Sequence, residues 1–409
     1  MAPLVLDPPT PEAPSPPIPN IHPNTRPKDT WLYPDEIAHD LDNQTSLPDS
    51  VIQETYTCAW EYTRSVIPVY TSWPRYLAFT RIIIIGIVAE FNGSAVDVTS
   101  QNPVLGFDLS ELLATIFGDT PTQVHAAMAR EYRAFLLITA EKSGNRRNSE
   151  LFNRYVEALA HSPRTWFRMR DCDALVRFSI AAALACNDFD GMWFGEEQLQ
   201  ILGEIGCTMY DAVAFYKHRA EGETNSTFAY VDPGLREEAF RKCREVLWAL
   251  DVVWGKDPAR RCVVNFLRPF GGPIHMMMRR YRFVEDGLVI GRAETEGVVK
   301  ETRRNVKLWN RVDVAGVAGG DRQRYLDAME QRERVMFEGL AELLSETEDM
   351  CSNCLYKSTY GTEGIRRFGG VELCGGCRES WGSYIRSLTR RAVDAFPELR
   401  ETRLVSSLE

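Results

Sequence analysis

After a proline-rich start, apolar residues recur at three- and four-residue intervals along most of the chain, and no segment sustains the two-residue alternation of a half-buried strand. That periodicity restricts the fold to packed helices. Ser162-Pro163 joins an N-cap residue to a proline at the first helical position. It predicts a helix carrying Trp166, Met169, Leu175, Ile180 and Leu184 to about Asn187. A second pattern runs from Glu196 through Leu199, Leu202, Ile205, Met209 and Val213. Asp232-Pro233 opens a third, with Phe240, Cys243, Val246, Leu247, Leu250 and Val253 on one face. Phe270-Gly271-Gly272-Pro273 separates it from a helix carrying Met276 to Phe283, and two more are expected around residues 294–312 and 321–345. There is no repeat of 20–50 residues. The expected fold is all-α.

The 409 residues are 44% hydrophobic, which suits one large domain or two smaller ones. A net charge of −10 argues against a protein that coats nucleic acid. Residues 1–29 hold ten prolines and, after Leu6, only Ile18 and Ile21 as large apolar side chains, so a disordered or polyproline-like leader is expected there. It lacks the basic and apolar stretches of a secretory signal. The most hydrophobic run, Ile82 to Ala89, falls far short of the roughly 20 residues that span a bilayer. A soluble, cytoplasmic protein without stable membrane insertion is the expectation.

Cys351 and Cys354, then Cys374 and Cys377, form two C-x2-C pairs with the spacing of a tetrahedral Zn²⁺ site. Gly375 and Gly376 lie between the second pair, where a turn brings the backbone close to the metal. Four thiolates leave no position for water, so this zinc is expected to be structural, in a C-terminal segment from residue 346 to 409 that follows a helical domain at 30–345. The other cysteines, such as Cys186, Cys207 and Cys243, sit in apolar helical contexts and read as small core residues in a reducing compartment.

Chemistry must come from elsewhere. Glu197, Glu204, Asp211 and His218 are spaced by seven, near one helix face despite a drift of about 20° per heptad. Oxygen ligands projecting from one face into a cavity suit Mg²⁺ bound to phosphate. A solvated acidic stripe accounts for the same pattern. From Asp188 to Glu223 eight acids face only Lys217 and Arg219, whereas from Arg268 to Arg311 ten Lys or Arg stand against five acids. The basic block includes Arg279, Arg280, Arg303, Arg304 and Lys307. An acidic and a basic face meeting across a helical cavity could hold a metal–diphosphate unit. Candidate cavity walls are Trp166, Phe167, Phe178, Trp193, Phe194, Tyr210, Phe215, Tyr216, Met276 to Met278 and Trp309, although aromatic residues at helical spacing are usually core.

These residues occur in longer strings: W-F-R-M-R-D at 166–171, A-C-N-D at 185–188, Y-D-A-V-A-F at 210–215, K-H-R-A-E-G-E-T-N-S-T at 217–227, F-G-G-P-I-H-M-M-M-R-R-Y at 270–281 and L-W-N-R at 308–311. In them the chain resembles the fungal α-ionylideneethane synthases, sesquiterpene cyclases of abscisic acid biosynthesis, over roughly residues 50–400. The resemblance implies a terpene-cyclase-like helical bundle around a central cavity, in which Mg²⁺-assisted ionisation of farnesyl diphosphate leads to a monocyclic hydrocarbon. There is no D-D-x-x-D motif. Residues 210–218 only echo N-D-x-x-S-x-x-x-E, with Asp211 kept, Ala214 at the serine and His218 at the glutamate. On this reading Asp188, Asp211 and Glu221 are the Mg²⁺ ligands. Lys217, Arg279 and Arg280 neutralise the diphosphate, with Asn225 and Arg268 as further substrate contacts. Neutral alkene intermediates would need a base, for which diphosphate, His218 and Glu90 are candidates. A related cyclase with another product, and a non-catalytic zinc-containing binding protein, are the alternatives. Around the cysteines Lys357, Arg366, Arg367 and Arg378 are offset by Glu348, Asp349, Glu363, Glu372 and Glu379, which disfavours a nucleic-acid partner.

Overall fold

The computed structural model describes residues 21–23, 32–44, 47–100, 102–143, 149–159, 161–223, 225–281, 283–284, 287–299, 321–345, 351–356 and 371–402. Most of the proline-rich leader, the segment carrying Arg303, Arg304, Lys307 and Trp309, and most of the loop between the cysteine pairs lie outside these residues. Within them the fold is all-α apart from two minimal antiparallel ladders, Ile21–Pro23 with Leu32–Pro34 and Leu355–Tyr356 with Val371–Glu372.

The helices are α1 (Asp49–Val66), α2 (Trp73–Phe91), α3 (Leu109–Phe117), α4 (Thr122–Ser143), α5 (Glu150–Leu159), α6 (Pro163–Ala174), α7 (Val176–Ala185), α8 (Glu196–Val213), α9 (Phe215–Glu221), α10 (Arg236–Trp254), α11 (Pro258–Leu267) and α12 (Pro273–Met277). Beyond them come α13 (Asp321–Glu330), α14 (Arg332–Val335), α15 (Leu340–Ser345), α16 (Gly375–Arg386) and α17 (Leu388–Ala395). Every residue of α7 is buried, and α2 buries Ile82 to Ala89 without interruption. Helices apolar all round need neighbours on every side. Accordingly α2 packs on α1, α3 and α4, and α8 packs on α6, α7 and α10. No described helix is long and apolar enough to cross a membrane.

The single helix expected from Pro163 to Asn187 is two. It starts as expected, with the Ser162 side chain accepting from the Thr165 amide, and then breaks at Leu175, which adopts a left-handed conformation (φ 53°). Asp171 makes the break workable. Its carboxylate accepts from the Arg177 amide at 2.9 Å and from Arg177 Nε at 2.6 Å, so it caps the new helix across the interruption. Gly203 of α8 gives Asp171 its room, since a Cβ there would lie 3.2 Å from the Asp171 carboxyl carbon. The third expected helix likewise divides, because Asp257 caps a fresh start at Pro258. The helix after Pro273 is short, ending at Met277, and residues 321–345 form three pieces rather than one.

The C-terminal segment belongs to the same hydrophobic core as the bundle. Trp381 of α16 is 1% exposed; it stacks on Tyr230 with ring centroids 5.9 Å apart and tilts against Trp166 at 5.8 Å. Arg391 of α17 makes a two-pronged pair with Glu204 of α8 at 2.6 and 2.8 Å. Trp381→Ala should therefore lower the free energy of unfolding by about 3–5 kcal/mol, measured by urea denaturation of the full chain.

Candidate active site

One cavity, about 1150 Å³ with open solvent at its mouth included, lies among α1, α2, α4, α6, α8, α9 and the 270–281 segment. Its apolar wall includes Ile83, Ile87, Phe135, Leu175, Phe270 and Met278. Gly86 and Gly206 face it from α2 and α8. Four cations line it as well: Lys142, Arg170, Lys217 and Arg280. Each is held by a carboxylate. Lys142 meets Asp173 at 3.2 Å, Arg170 meets Asp173 at 2.8 Å and Asp211 at 2.9 Å, Lys217 meets Glu221 at 2.7 Å, and Arg280 pairs with Glu90. Burial alone would make Arg170 easier to deprotonate, but Asp211 and Asp173 reverse that and hold its pKa above the ordinary value. The guanidinium is a fixed charge.

Aromatic rings surround these cations. Tyr210 lies 5.6 Å from His218, 4.6 Å from His275 and 5.9 Å from Tyr281, centroid to centroid. The Arg170 guanidinium carbon is 5.8 Å from the Tyr210 ring and Lys217 Nζ is 5.9 Å from Tyr281. At those separations the ring quadrupoles favour positive charge. The wall thus combines paired cations, aromatic rings and hydrocarbon side chains.

Of the residues singled out from the sequence, Glu90, Lys217, His218, Asn225 and Arg280 line this cavity together. Asp188, Asp211, Glu221, Arg268 and Arg279 are not on its wall. Asp188 follows α7 with its side chain 59% exposed, and it accepts from Thr71 Oγ1 at 2.6 Å and from Arg75 Nη1 at 3.3 Å. Arg268 pairs with Asp251 at 2.6 Å and Arg279 with Glu61 at 3.3 Å. Asp211, fully buried, stands behind Arg170; besides that arginine it accepts from the Thr227 amide and hydroxyl, both at 2.7 Å.

The acidic series on α8 is therefore not a metal-binding face. Glu197 pairs with Arg164, Glu204 with Arg391 and Asp211 with Arg170, while the helix itself ends at Val213 before His218. Neither is it a solvated stripe, since Glu204 and Asp211 are buried. The seven-residue spacing marks where α8 docks on arginines from two other helices, Arg164 and Arg170 of α6 and Arg391 of α17.

Most of the aromatic residues expected on the cavity wall are core. Trp166, Phe167, Phe178, Phe194 and Phe215 are buried away from it, and Trp309 lies outside the described residues, whereas Tyr210 and Met278 do line it. The sequence reading missed Lys142, Asp173, Arg170, Glu223, Tyr62 and His275. Arg170 and His275 sit inside the strings quoted above, yet each reads there as one polar residue on an apolar helix. Lys142 carries no signal at all.

The four cysteine sulfurs all lie within 4.8 Å of one another, with Cys351 and Cys374 at 3.9 Å. A tetrahedron with Zn–S bonds of about 2.3 Å has S–S edges of about 3.8 Å, so the donor set fits zinc. The Cys374 amide also donates to Cys354 Sγ at 3.3 Å. Gly375 and Gly376 open α16 instead of a metal-hugging turn, and a Cβ on either would meet nothing within 4 Å. Among the described residues this is the one group of three or more Cys, His, Asp or Glu donors gathered closely enough for a metal.

The family described as "Alpha-ionylideneethane synthase aba3" matches residues 29–398. The chain belongs to the α-ionylideneethane synthase family. It is 58% identical to "Alpha-ionylideneethane synthase aba3" of Botryotinia fuckeliana over 91% of this chain and 84% of that protein. Against "Alpha-ionylideneethane synthase abl3" of Leptosphaeria maculans the identity is 58% over 91% of this chain and 87% of that one. The abl3 protein of Pyricularia oryzae is 49% identical over 91% of this chain. The match includes both the cavity and the paired cysteines, so the two sites fall within one family unit.

Two outcomes follow from the geometry. Asp211→Ala leaves Arg170 buried with half its charge compensation removed and should cost about 3–5 kcal/mol of stability, read by thermal and urea melts, before any question of turnover arises. Cys351→Ser or Cys374→Ser should lose metal, measured by mass spectrometry of the acid-digested protein, together with solubility and melting temperature. A folded, metal-free variant of unchanged stability would contradict the second.

Proposed function

We propose that this chain is itself an α-ionylideneethane synthase: a sesquiterpene cyclase that converts farnesyl diphosphate to α-ionylideneethane and releases diphosphate in abscisic acid biosynthesis. The observation that carries the reading is the cavity's mixed wall, on which Lys142, Arg170, Lys217 and Arg280 stand together with hydrocarbon side chains such as Ile83, Ile87, Phe135 and Phe270. An allylic diphosphate offers a match to both kinds of side chain. Its anionic head suits fixed cations in a low-dielectric pocket, and its fifteen-carbon chain suits the apolar part.

In this reading Arg170, Lys217 and Arg280 hold the diphosphate and stabilise the charge it gains as the carbon–oxygen bond breaks. Arg170 is locked for that task by Asp211 and Asp173, so little reorganisation accompanies the reaction. Phe135, Phe270 and Tyr62 exclude water, and the aromatic faces favour the cation left on the hydrocarbon. The carbon chain then loses one proton overall, which with diphosphate balances the conversion to C15H24.

Mg²⁺ dependence belongs to the same proposal. Glu90, Asp173 and Glu223 share the wall with the cations, whereas Asp188, Asp211 and Glu221 do not; among the described residues no three carboxylates are gathered closely enough to hold a metal by themselves, so one or two of the wall carboxylates would hold Mg²⁺ jointly with the diphosphate. Mg²⁺ is commonly held by one or two carboxylates together with substrate phosphates and water. When bound, it would draw charge from the diphosphate and so favour ionisation. Zinc on the four cysteines, with no open position, would be structural.

Purified chain incubated with farnesyl diphosphate should yield α-ionylideneethane by gas chromatography–mass spectrometry only when Mg²⁺ is supplied. Lys217→Ala and Arg280→Ala should each lower kcat/KM by about 100-fold or more. A different hydrocarbon skeleton would make the protein a related cyclase. No product from folded, zinc-loaded protein would favour a binding protein instead.

A further inference from the structure

His275 is 1% exposed, yet it lines the cavity, and neither ring nitrogen meets a hydrogen-bond partner within range. A buried imidazole without partners is costly and needs an explanation. It sits on α12 in an aromatic box, with Tyr210 at 4.6 Å, Phe283 at 5.3 Å and Tyr281 at 5.4 Å between ring centroids. Burial, with the Lys217 ammonium nearby, pushes it down to about 3, although the Tyr210 main chain lies close enough to oppose the shift. The imidazole is therefore neutral, with a lone pair available, on a wall whose cations are paired with carboxylates.

The reaction proposed above, on which this inference rests, needs such a group. Ionisation places the charge at the diphosphate end of the chain. The ring of α-ionylideneethane is built at the other end, around the carbon that carries two methyl groups. The first charge must therefore be quenched and a new one made at the distal alkene. We propose that His275 is the catalytic base and acid that removes a proton from the first cation and returns it to the distal double bond.

The steps balance. The oxygen of the departing diphosphate takes the carbon–oxygen bonding pair. A neighbouring C–H pair becomes a new double bond as its proton goes to the His275 nitrogen, giving a neutral tetraene and an imidazolium. The distal alkene then uses its π pair to take that proton, which restores neutral His275 and leaves a tertiary cation. An internal double bond attacks this cation to close the ring. His275 takes a proton from the ring cation. One further exchange of the same kind, a proton returned to the carbon that carried the diphosphate and another removed from the chain beside the ring, makes that carbon a methyl group and sets the diene of the product. The last proton passes to diphosphate, so the net change is loss of diphosphate and one proton.

The other candidates are set differently. The Glu90 carboxylate is tied to Arg280; His218 Nδ1 lies 3.8 Å from the Asp211 carboxylate, beyond hydrogen-bond range, while the His275 ring is the one held among three aromatic rings of the wall. A depressed pKa suits both halves of the shuttle. A carbocation gives up its proton even to a weak base, and the resulting imidazolium is a far stronger acid than an ordinary one towards an alkene.

The test uses His275→Gln and His275→Phe in the full chain, with folding checked by circular dichroism and melting. The amide keeps polarity without a base, and the phenyl ring matches its aromatic neighbours, so one variant remains readable if the other misfolds. The parent must first make the cyclic hydrocarbon; if it does not, the synthase reading has failed and not this one. In the variants, the cyclic product should fall about 100-fold or more while diphosphate release falls less than about 10-fold, with acyclic C15H24 or prenyl alcohols appearing instead. Undiminished cyclic product would overturn the proposal. So would parallel loss of diphosphate release and cyclisation, which would place His275 in ionisation rather than proton transfer.

Discussion

A carboxylate with no exposure, between two helices, cannot persist without an opposite charge, and Asp211 has Arg170. The pair joins α8 to α6 at 2.9 Å, and the remaining oxygen of Asp211 takes both the amide and the hydroxyl of Thr227. Three segments thereby converge on one carboxylate. Arg170 in turn lines the cavity with all three guanidinium nitrogens held, two by Asp211 and one by Asp173. Desolvation makes such a pair expensive to assemble and more expensive to break, so its contribution is to fix geometry more than to add net stability. The neighbouring pairs follow the same logic: Arg168 with Glu131, Arg177 with Asp171 and Arg391 with Glu204 each tie one helix to another through a buried carboxylate.

The cysteine-bearing tail is continuous with that arrangement. Cys374 caps α16, α16 carries Trp381, and Trp381 rests on Trp166 at the start of α6, the helix that delivers Arg170. Arg391 reaches Glu204 two turns before Asp211 on α8. A metal closing the four thiolates would fix the start of α16, and through Trp381 and Arg391 the rear faces of both helices that frame the cationic wall. The site fits zinc chemically and is placed to act through packing.

The helical class, the helix starts at Pro163 and Glu196, and the four clustered thiolates were legible because each depends on local spacing or capping. The break at Leu175 was not, because it rests on Asp171 capping Arg177 across the interruption and on Gly203 making room from another helix. For the same reason the acidic series on α8 was misleading. Spacing by seven places side chains on one face, but what that face meets is decided by arginines remote in sequence, at positions 164, 170 and 391. Lys217, Arg280 and Asn225 came from the family strings and do line the cavity; Lys142 and His275 emerge only once α4 and α12 are placed beside them.

Charge order inside the cavity gives the proposed proton shuttle its timing. Before substrate arrives, His275 shares the wall with Lys217, and that positive charge, together with burial, keeps a proton off the imidazole. A bound diphosphate inverts the local field. As the carbon–oxygen bond breaks, the leaving group becomes more negative and the hydrocarbon becomes an acid in the same event. Both changes favour an imidazolium that was unfavourable a moment earlier. The base is thus free when a base is needed, and its proton becomes acidic again once the charge on the hydrocarbon has been quenched. No exposed histidine would behave this way, since bulk water would screen the leaving group and exchange the proton.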